Sequence, residues 1–274
     1  MERITAPDGA QLALHSTGAG PGLVLVHGGG ITIHEYRRLV AALADRFTVH
    51  SYNRRGRADA PPRREPYTVD QEIDDLDAVL THTGARNVLG HSSGGYLALS
   101  AALRLPIERL ALYDAAVNVD GLMATDYLEP AERAAAAGET ARALAIVGAG
   151  VNSHTAAARL PLGVQTAMTR AFLRTPIGRT MGDLLVTTLA ETRMIAEDGG
   201  PAARYAGVAA EVLLACGSEA PPYFAKINEA LAGAMPRART LVVPRSRHDA
   251  IAIARPRLVD PIAEFFAAPV STQR

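Results

Sequence analysis

Six short apolar runs recur along this chain, and they constrain its fold more than any other feature. The clearest is Leu23–Val26, which is wholly apolar and ends at glycines, as expected of a strand buried on both faces. The other runs are Phe47–Tyr52, Asn87–Leu89, Leu110–Tyr113, Val212–Ala215 and Thr240–Val243. Helical patterns separate the early runs, so strands alternate with helices. This alternation predicts an α/β fold with a mostly parallel central sheet and flanking helices.

Two helices are predicted between the early runs. Apolar residues recur at helical spacing over 36–43 and again over 69–80. Thr68 and Gln71 have the spacing of a capping box at the start of the second helix. Four acidic residues of this helix are predicted to face solvent: Asp70, Glu72, Asp74 and Asp75. We therefore interpret its charge as a solvated helix face rather than a metal site.

The alternation stops between about Ala116 and Gly207. This segment is rich in alanine, contains no clear buried-strand run and is interrupted by prolines. A long insertion of this kind has to lie over one edge of the sheet and is usually functional, although a purely decorative helical subdomain is the alternative. We predict a core formed by 1–115 and 208–274, with a helical cap inserted at 116–207.

A serine lies at the junction between one apolar run and the helix-forming residues after it. The sequence there is Gly90-His91-Ser92-Ser93-Gly94. The pattern Gly-x-Ser-x-Gly is typical of a turn so tight that larger flanking side chains would collide with the backbone. Such a turn lifts the Ser92 hydroxyl clear of both elements. A serine is a poor nucleophile at neutral pH, so the turn predicts chemistry only together with a base, an acid and an oxyanion site.

The predicted base is His248, because its loop follows the last apolar run and leaves the sheet at the same edge as Ser92. Glycines follow the first run at His27–Gly30, where backbone N–H groups can approach a developing oxyanion without obstruction. The predicted oxyanion donors are the N–H groups of Gly29 and Ser93. The histidine that starts the glycine run is interpreted as a hydrogen-bonding scaffold residue rather than a second base.

These residues resemble those of the α/β-hydrolase superfamily. The resemblance rests on Gly90–Gly94, His27–Gly30, Asn53–Arg57 and the late His248, and it covers the chain apart from the insertion. It implies an α/β-hydrolase fold and a nucleophile, acid and histidine in that order along the chain. Many relatives have glycine where this chain has Ala58, a difference that falls in a structural turn.

The resemblance leaves two main positions for the acid. Many relatives carry it in a Gly-x-x-Asp loop after the penultimate strand, but in Gly217–Pro222 the aspartate position is Ala220, and Glu219 is one residue out of register. Other relatives carry it at the end of the strand after the nucleophile helix, where this chain has Asp114. We favour Asp114 over Glu219, since a carboxylate at a buried strand end needs a partner such as a histidine N–H. Asp249 is a third candidate, too close to the histidine in sequence to orient its ring easily.

The charge balance favours a small-molecule substrate. Lysine plus arginine and aspartate plus glutamate both number 28, without a long block of either sign, so neither nucleic acid nor a membrane is expected as a partner. No apolar run approaches the roughly 20 residues needed to span a bilayer. The single cysteine, Cys216, is interpreted as a small buried apolar residue. Because the start of the chain lacks a secretory pattern and no internal disulfide is possible, a cytoplasmic location is expected.

Together these features predict a serine hydrolase that acts on a small, mainly apolar ester or related acyl compound through Ser92, His248 and Asp114. Lactonase, thioesterase, C–C bond hydrolase and cofactor-free perhydrolase are alternatives, because one triad can support each of them. A protein that binds a small molecule on the same scaffold without turnover is the alternative from another class. No metal or organic cofactor is expected, since the chain has neither a glycine-rich phosphate loop nor a His/Cys cluster with metal spacing.

Overall fold

The structure is a computed structural model that describes residues 1–64 and 66–268. Its strands are β1 (Glu2–Thr5), β2 (Gln11–Thr17), β3 (Gly22–Val26), β4 (Thr48–Tyr52), β5 (Asn87–His91), β6 (Arg109–Tyr113), β7 (Glu211–Gly217) and β8 (Ala238–Val243). They form one sheet in the order β1-β2-β4-β3-β5-β6-β7-β8. Strands β3 to β8 run parallel, whereas β1 and β2 are antiparallel to their neighbours. The mostly parallel sheet and all six predicted strands are confirmed.

Helices cover both faces of this sheet. In chain order they are α1 (Arg37–Leu43), α2 (Val69–Thr83), α3 (Ser93–Ala101), α4 (Leu128–Ala136), α5 (Thr140–Val151), α6 (Leu162–Phe172), α7 (Pro176–Asp183), α8 (Leu185–Glu197), α9 (Tyr223–Ala234), α10 (Ala250–Ile253) and α11 (Pro256–Ala267). Short 3-10 helices cover Ile33–Tyr36, Ala157–Arg159 and Ala202–Tyr205. The apolar residues of α2, α3 and α9 pack on one face of the sheet, and those of α1, α10 and α11 pack on the other. Every residue of the central β6 is buried as a result, as the apolar run predicts.

Strands β1 and β2 were not predicted from the sequence. They form an antiparallel pair at one edge of the sheet, and β2 has exposed residues at both ends. Neither strand has the continuous apolar run that identifies a strand buried on both faces. The sequence signal used for the other strands therefore could not find these two.

Two expectations for α2 were wrong. Glu72 and Asp75 are buried rather than exposed, because buried arginines pair with both. Thr68 is the N-cap residue, but its side chain makes no capping hydrogen bond. The Gln71 amide instead donates to the carbonyl oxygens of the preceding loop, so the predicted capping box does not form.

Helices α4 to α8 lie between β6 and β7 in the chain. Side chains of α4, α5 and α8 form a small apolar cluster of their own, separate from the two clusters on the sheet. Helix α6 has no buried residue. The cap boundaries at 116 and 207 stay a prediction, and residues 269–274 of the predicted core lie outside the described residues.

Candidate active site

Ser92 lies in the tight turn between β5 and α3. Its backbone has φ of 54° and ψ of −125°, a left-handed φ that is uncommon for a residue with a side chain. A Cβ atom on Gly90 would lie 2.8 Å from the Gly94 carbonyl oxygen, and one on Gly94 would clash with the carbonyls at the end of β3. The turn therefore needs the small residues that flank the serine.

His248 and Asp114 meet at the carboxyl edge of the sheet. Asp114 follows β6 and is fully buried, and its Oδ2 lies 3.1 Å from His248 Nδ1. Its other carboxylate oxygen accepts a hydrogen bond from the Gly217 N–H at 3.1 Å. The His248 ring also stacks on Phe224, with centroids 5.2 Å apart and planes 2° from parallel. Backbone and aromatic contacts thus fix the orientation of both the carboxylate and the imidazole.

The other two candidate acids lie elsewhere on the loops. Glu219 is exposed, and its side chain makes no hydrogen bond to His248 within the part of the chain that the structure describes. Asp249 is also exposed, and its nearest cation is Arg247 at 3.9 Å. Of the three candidates, Asp114 alone contacts the imidazole among the described residues.

The glycine loop that carries one of the predicted oxyanion donors lies against the serine turn. A Cβ atom on Gly28 would lie 3.1 Å from Ser92 Cβ, and one on Gly29 would lie 3.3 Å from Ser93 Oγ, so the glycine loop packs directly on the turn. Within residues 1–64 and 66–268, neither the Gly29 nor the Ser93 N–H has a hydrogen-bond partner in the protein. A developing oxyanion is stabilised by N–H donors that have no other partner.

His27 supports this loop. Its Nδ1 lies 2.8 Å from the Gly28 carbonyl oxygen, and its Nε2 accepts a hydrogen bond from the Arg54 N–H at 3.0 Å. Burial and the charges of Arg57 and Arg54 lower the pKa of His27 well below its ordinary value. The residue is therefore a neutral ring hydrogen-bonded to backbone at both nitrogens, as expected of a scaffold residue.

The structure does not join Ser92 to His248 directly. No hydrogen bond connects the Ser92 hydroxyl with the imidazole among the described contacts, whereas His91 Nε2 lies 3.1 Å from the His248 carbonyl oxygen. Nucleophile-to-base hydrogen bonds often form only when substrate binds. The two side chains nevertheless share the carboxyl edge of the sheet, as their strand positions predict.

A buried network of charges lies behind the glycine loop. Arg54 donates to Glu72 at 2.8 and 3.1 Å and also pairs with Glu191 of α8. Arg57 donates to Glu191 at 2.7 Å, and all four side chains are at most 2% exposed. In a second buried pair, Arg55 donates to the two carboxylate oxygens of Asp75 in α2, at 2.7 and 2.8 Å.

This network contacts the candidate site. Arg54 Nη1 donates to Ser93 Oγ and to the His27 carbonyl oxygen, each at 3.2 Å. A Cβ atom on Gly29 would lie 3.0 Å from Glu191 Oε2, so the carboxylate of α8 packs against the oxyanion loop. Glu191 therefore links α8 to the loop and turn that carry the predicted oxyanion donors.

This network was not predicted from the sequence, although a signal for it was present. Glu72 and Asp75 adjoin Ile73 and Leu76, which form the apolar face of α2, so both carboxylates lie at the boundary with the core. The arginine-rich segment 53–57 follows a strand buried on both faces. The partner Glu191 could not be predicted, because it comes from a helix far away in sequence.

Replacement of Glu191 by glutamine is expected to lower the free energy of unfolding by about 3 kcal/mol, because two buried arginines lose the charge of their shared partner. The matched control is Glu132→Gln, since Glu132 pairs with Arg193 at a site where the two side chains are 33% and 38% exposed. That change is expected to cost less than about 1 kcal/mol. Urea denaturation measures both variants, and equal losses would contradict a stabilising role for the buried network.

The pKa of Glu191 predicts how the free energy of unfolding depends on pH. Burial raises the pKa of Glu191, but Arg54 and Arg57 outweigh burial and lower it from 4.5 to about 2. The folded state thus binds this proton less readily than the unfolded state does. The stabilisation is fully present above the unfolded pKa and is lost as the pH falls toward the folded pKa. Acid denaturation of Glu191→Gln should accordingly show a smaller loss of stability over that range than the native chain.

A cavity of about 820 Å³ adjoins His248. Its walls come from α5, the segment after α5, α6 and the loop after β8, and its lining includes His248 and Glu219 but not Ser92. The α5 side is mainly apolar, with Leu144, Ala145 and Ala149. A second cavity of about 830 Å³ is lined by α6 and the start of α5 and contains none of the candidate site residues.

Within residues 1–64 and 66–268, no cluster of three or more histidine, cysteine or acidic side chains could hold a metal ion. No helix in that part of the chain has the length and apolar character needed to cross a membrane.

Comparisons with known proteins agree with this architecture. The model of the alpha/beta hydrolase family matches residues 23–267. The crystal structure of an alpha/beta hydrolase from Sphaerobacter thermophilus superposes with a TM-score of 0.80 at 28% identity, covering 97% of this chain and 100% of that one. An esterase from Exiguobacterium antarcticum superposes with a TM-score of 0.71 over 97% of this chain and 99% of its own, at 16% identity, which shows a shared fold.

Curated relatives match over shorter stretches. An uncharacterized hydrolase of Bacillus subtilis, YraK, is 36% identical over 103 residues, which is 36% of this chain and 38% of that protein. A pimeloyl-[acyl-carrier protein] methyl ester esterase of Stenotrophomonas maltophilia is 38% identical over 97 residues, 34% of this chain and 35% of the esterase. The chain thus aligns with well under half the length of these two relatives.

Proposed function

The chain belongs to the alpha/beta hydrolase family, and on that basis we propose that it is a serine hydrolase of small, mainly apolar esters or related acyl compounds. The nucleophile is Ser92, the base His248 and the orienting acid Asp114. The observation that carries the proposal is the 3.1 Å contact between Asp114 and His248, at the sheet edge where Ser92 occupies its tight turn.

The proposed reaction proceeds through an acyl-enzyme. Ser92 Oγ attacks the substrate carbonyl while His248 Nε2 takes its proton, and the same imidazole later returns that proton to the leaving alcohol. Asp114 accepts a hydrogen bond from His248 Nδ1–H, which leaves Nε2 free to act as the base. The Gly29 and Ser93 N–H groups stabilise the oxyanion, each by about 3 to 4 kcal/mol in a dry site. Water then attacks the acyl-enzyme carbonyl while His248 takes its proton. The imidazole returns this proton to Ser92 Oγ as the acid is released.

The cavity beside His248 supports this substrate class. Its apolar α5 wall suits an acyl or alcohol group without charge, and its volume of about 820 Å³ is within the range of small-molecule sites. The similarity to a methyl ester esterase favours an ester over the other acyl compounds. We therefore place the lactonase, thioesterase, C–C hydrolase and perhydrolase activities behind ester hydrolysis.

A panel of p-nitrophenyl esters of increasing chain length, with lactones and acyl thioesters, tests the substrate class. Each added methylene should raise kcat/KM by about fourfold until the cavity is filled, because burial of one methylene contributes about 0.8 kcal/mol. A kcat/KM that does not change with chain length, or a lactone or thioester turned over faster than every ester, would reject this assignment.

Gly148 offers a direct test of which cavity holds the substrate. It lines the cavity beside His248, and a Cβ atom added there would meet no atom within 4 Å. Gly148→Leu should therefore fill that cavity, leave the fold intact and shift the preference toward shorter esters. Gly163→Leu is the matched control, since Gly163 is equally unobstructed but lines the second cavity. An equal shift in both variants would show that the substrate does not occupy the cavity beside His248.

A further inference from the structure

A chain of hydrogen bonds connects three loops of the candidate site through Tyr36 and His91. The Gly28 N–H donates to the Tyr36 hydroxyl oxygen at 2.9 Å, and this oxygen lies 2.6 Å from His91 Nδ1. At the other end of the ring, His91 Nε2 lies 3.1 Å from the His248 carbonyl oxygen. Tyr36 is fully buried and His91 is 4% exposed, so water does not compete for these contacts.

The chemistry of the partners fixes every proton in this chain. A carbonyl oxygen can only accept, so His91 Nε2 carries the hydrogen and donates to His248. In a neutral ring Nδ1 is then an acceptor, and the Tyr36 hydroxyl donates to it. The Tyr36 oxygen in turn accepts from Gly28. The Tyr36 hydroxyl thus both accepts from Gly28 and donates to His91, and its removal leaves a buried donor and a buried acceptor without partners.

We propose that Tyr36 and His91 are positioning residues that fix the oxyanion loop, the serine turn and the base loop relative to one another. Gly28 precedes the oxyanion donor Gly29, His91 precedes Ser92, and His248 is the base. The inference rests on the proposed serine hydrolase reaction. The nucleophile, the base and the oxyanion donors must be aligned at the same moment, and Tyr36 and His91 would maintain that alignment.

The surroundings of His91 favour its neutral form. The titratable groups that face the ring are Tyr36 from the 3-10 helix, His27 from the glycine loop, Tyr113 from β6 and His248 from the base loop. None of them is a carboxylate. The His91 and His248 ring centroids are 4.6 Å apart, so a charged His91 would oppose the imidazolium that forms on His248. Burial and the nearby His248 also lower the pKa of His91 well below its ordinary value.

Tyr36→Phe tests the positioning role because it removes only the hydroxyl. Its kcat should fall about tenfold with little change in KM, since the lost hydrogen bonds act on the alignment of the reacting groups rather than on substrate binding. Tyr52→Phe is the matched control. Tyr52 is equally buried, and within the described residues its hydroxyl makes no hydrogen bond, so its kcat should stay unchanged.

Nitrogen-15 NMR of labelled histidines tests the proton assignment without using activity. His91 should keep the neutral Nε2–H form from about pH 5 to about pH 8, and in Tyr36→Phe the nitrogen-15 shift of Nδ1 should move because that nitrogen loses the hydrogen bond from the hydroxyl. An Nδ1–H tautomer, or a His91 that already titrates there in the native chain, would overturn the proposal.

Variants of His91 provide a second test if Tyr36→Phe does not fold. Glutamine can place its amide near the position of Nε2 and preserve the link to His248, whereas asparagine reaches only the position of Nδ1. His91→Gln should thus lose less kcat than His91→Asn, by about tenfold. If Ser92→Ala is inactive, either of two results would reject the positioning role. One is an equal loss of kcat in His91→Gln and His91→Asn, and the other is a Tyr36→Phe variant as active as Tyr52→Phe. A Ser92→Ala variant as active as the native chain would instead reject the proposed reaction, and with it any role for these residues in that reaction.

Discussion

Ser92→Ala should lower kcat by about 10⁵-fold while the fold and the melting temperature stay close to those of the native chain. The hydroxyl is the proposed nucleophile, and without it only binding and the oxyanion donors can assist the reaction. The side chain is only partly buried in the turn, so its loss leaves no large cavity. Steady-state hydrolysis of one p-nitrophenyl ester, with circular dichroism as the folding control, measures the effect.

Ser93→Ala is the matched control for this variant. It removes the neighbouring hydroxyl, which accepts a hydrogen bond from Arg54, but keeps the N–H proposed as an oxyanion donor. The expected loss of kcat is about tenfold or less. If Ser93→Ala abolished turnover and Ser92→Ala retained it, the nucleophile would have been assigned to the wrong serine.

Asp114→Asn should lower kcat by about 10⁴-fold, the second largest effect expected. An asparagine has nearly the shape of the aspartate, but its amide lets the His248 imidazole adopt the tautomer with hydrogen on Nε2, which cannot act as a base. The carboxylate is fully buried and contacts His248 Nδ1 at 3.1 Å, so no water can replace it readily. Kinetics on the same ester measures the loss.

Glu219→Gln is the control that decides between the two candidate acids. Glu219 is exposed, and within the described residues its side chain makes no hydrogen bond to the imidazole, so kcat should stay within about twofold of the native value. Severe loss in Glu219→Gln with near-normal turnover in Asp114→Asn would show that the glutamate is the acid.

The central strands could be predicted because burial on both faces gives each of them a continuous apolar run. This reasoning located β5 and β6, and with them the positions of Ser92 and Asp114 at neighbouring strand ends. It could not locate β2, which lies next to the edge strand β1 and whose buried residues are flanked by exposed ones at both ends. Local sequence thus predicts those elements whose environment is uniform along the strand.

The charged residues show where local reasoning stops. The sequence predicts that Glu72 and Asp75 face solvent because charged residues of an amphipathic helix usually are exposed, but both are buried in ion pairs with arginines of another loop. Glu191, Tyr36 and His91 likewise acquire their roles from partners distant in sequence. Pairwise contacts of this kind depend on how the elements pack, which periodicity and strand position do not encode.

Labelling with a fluorophosphonate probe, followed by mass mapping of the modified peptide, tests the central claim most directly. The probe reacts only with a serine that a neighbouring base activates, so it requires the nucleophile and base to function together. We expect one adduct per chain, on Ser92, and much slower labelling of His248→Ala and Asp114→Asn. A folded chain that gives no adduct would indicate a small-molecule binder rather than an enzyme, and an adduct on a different serine would contradict the proposed site.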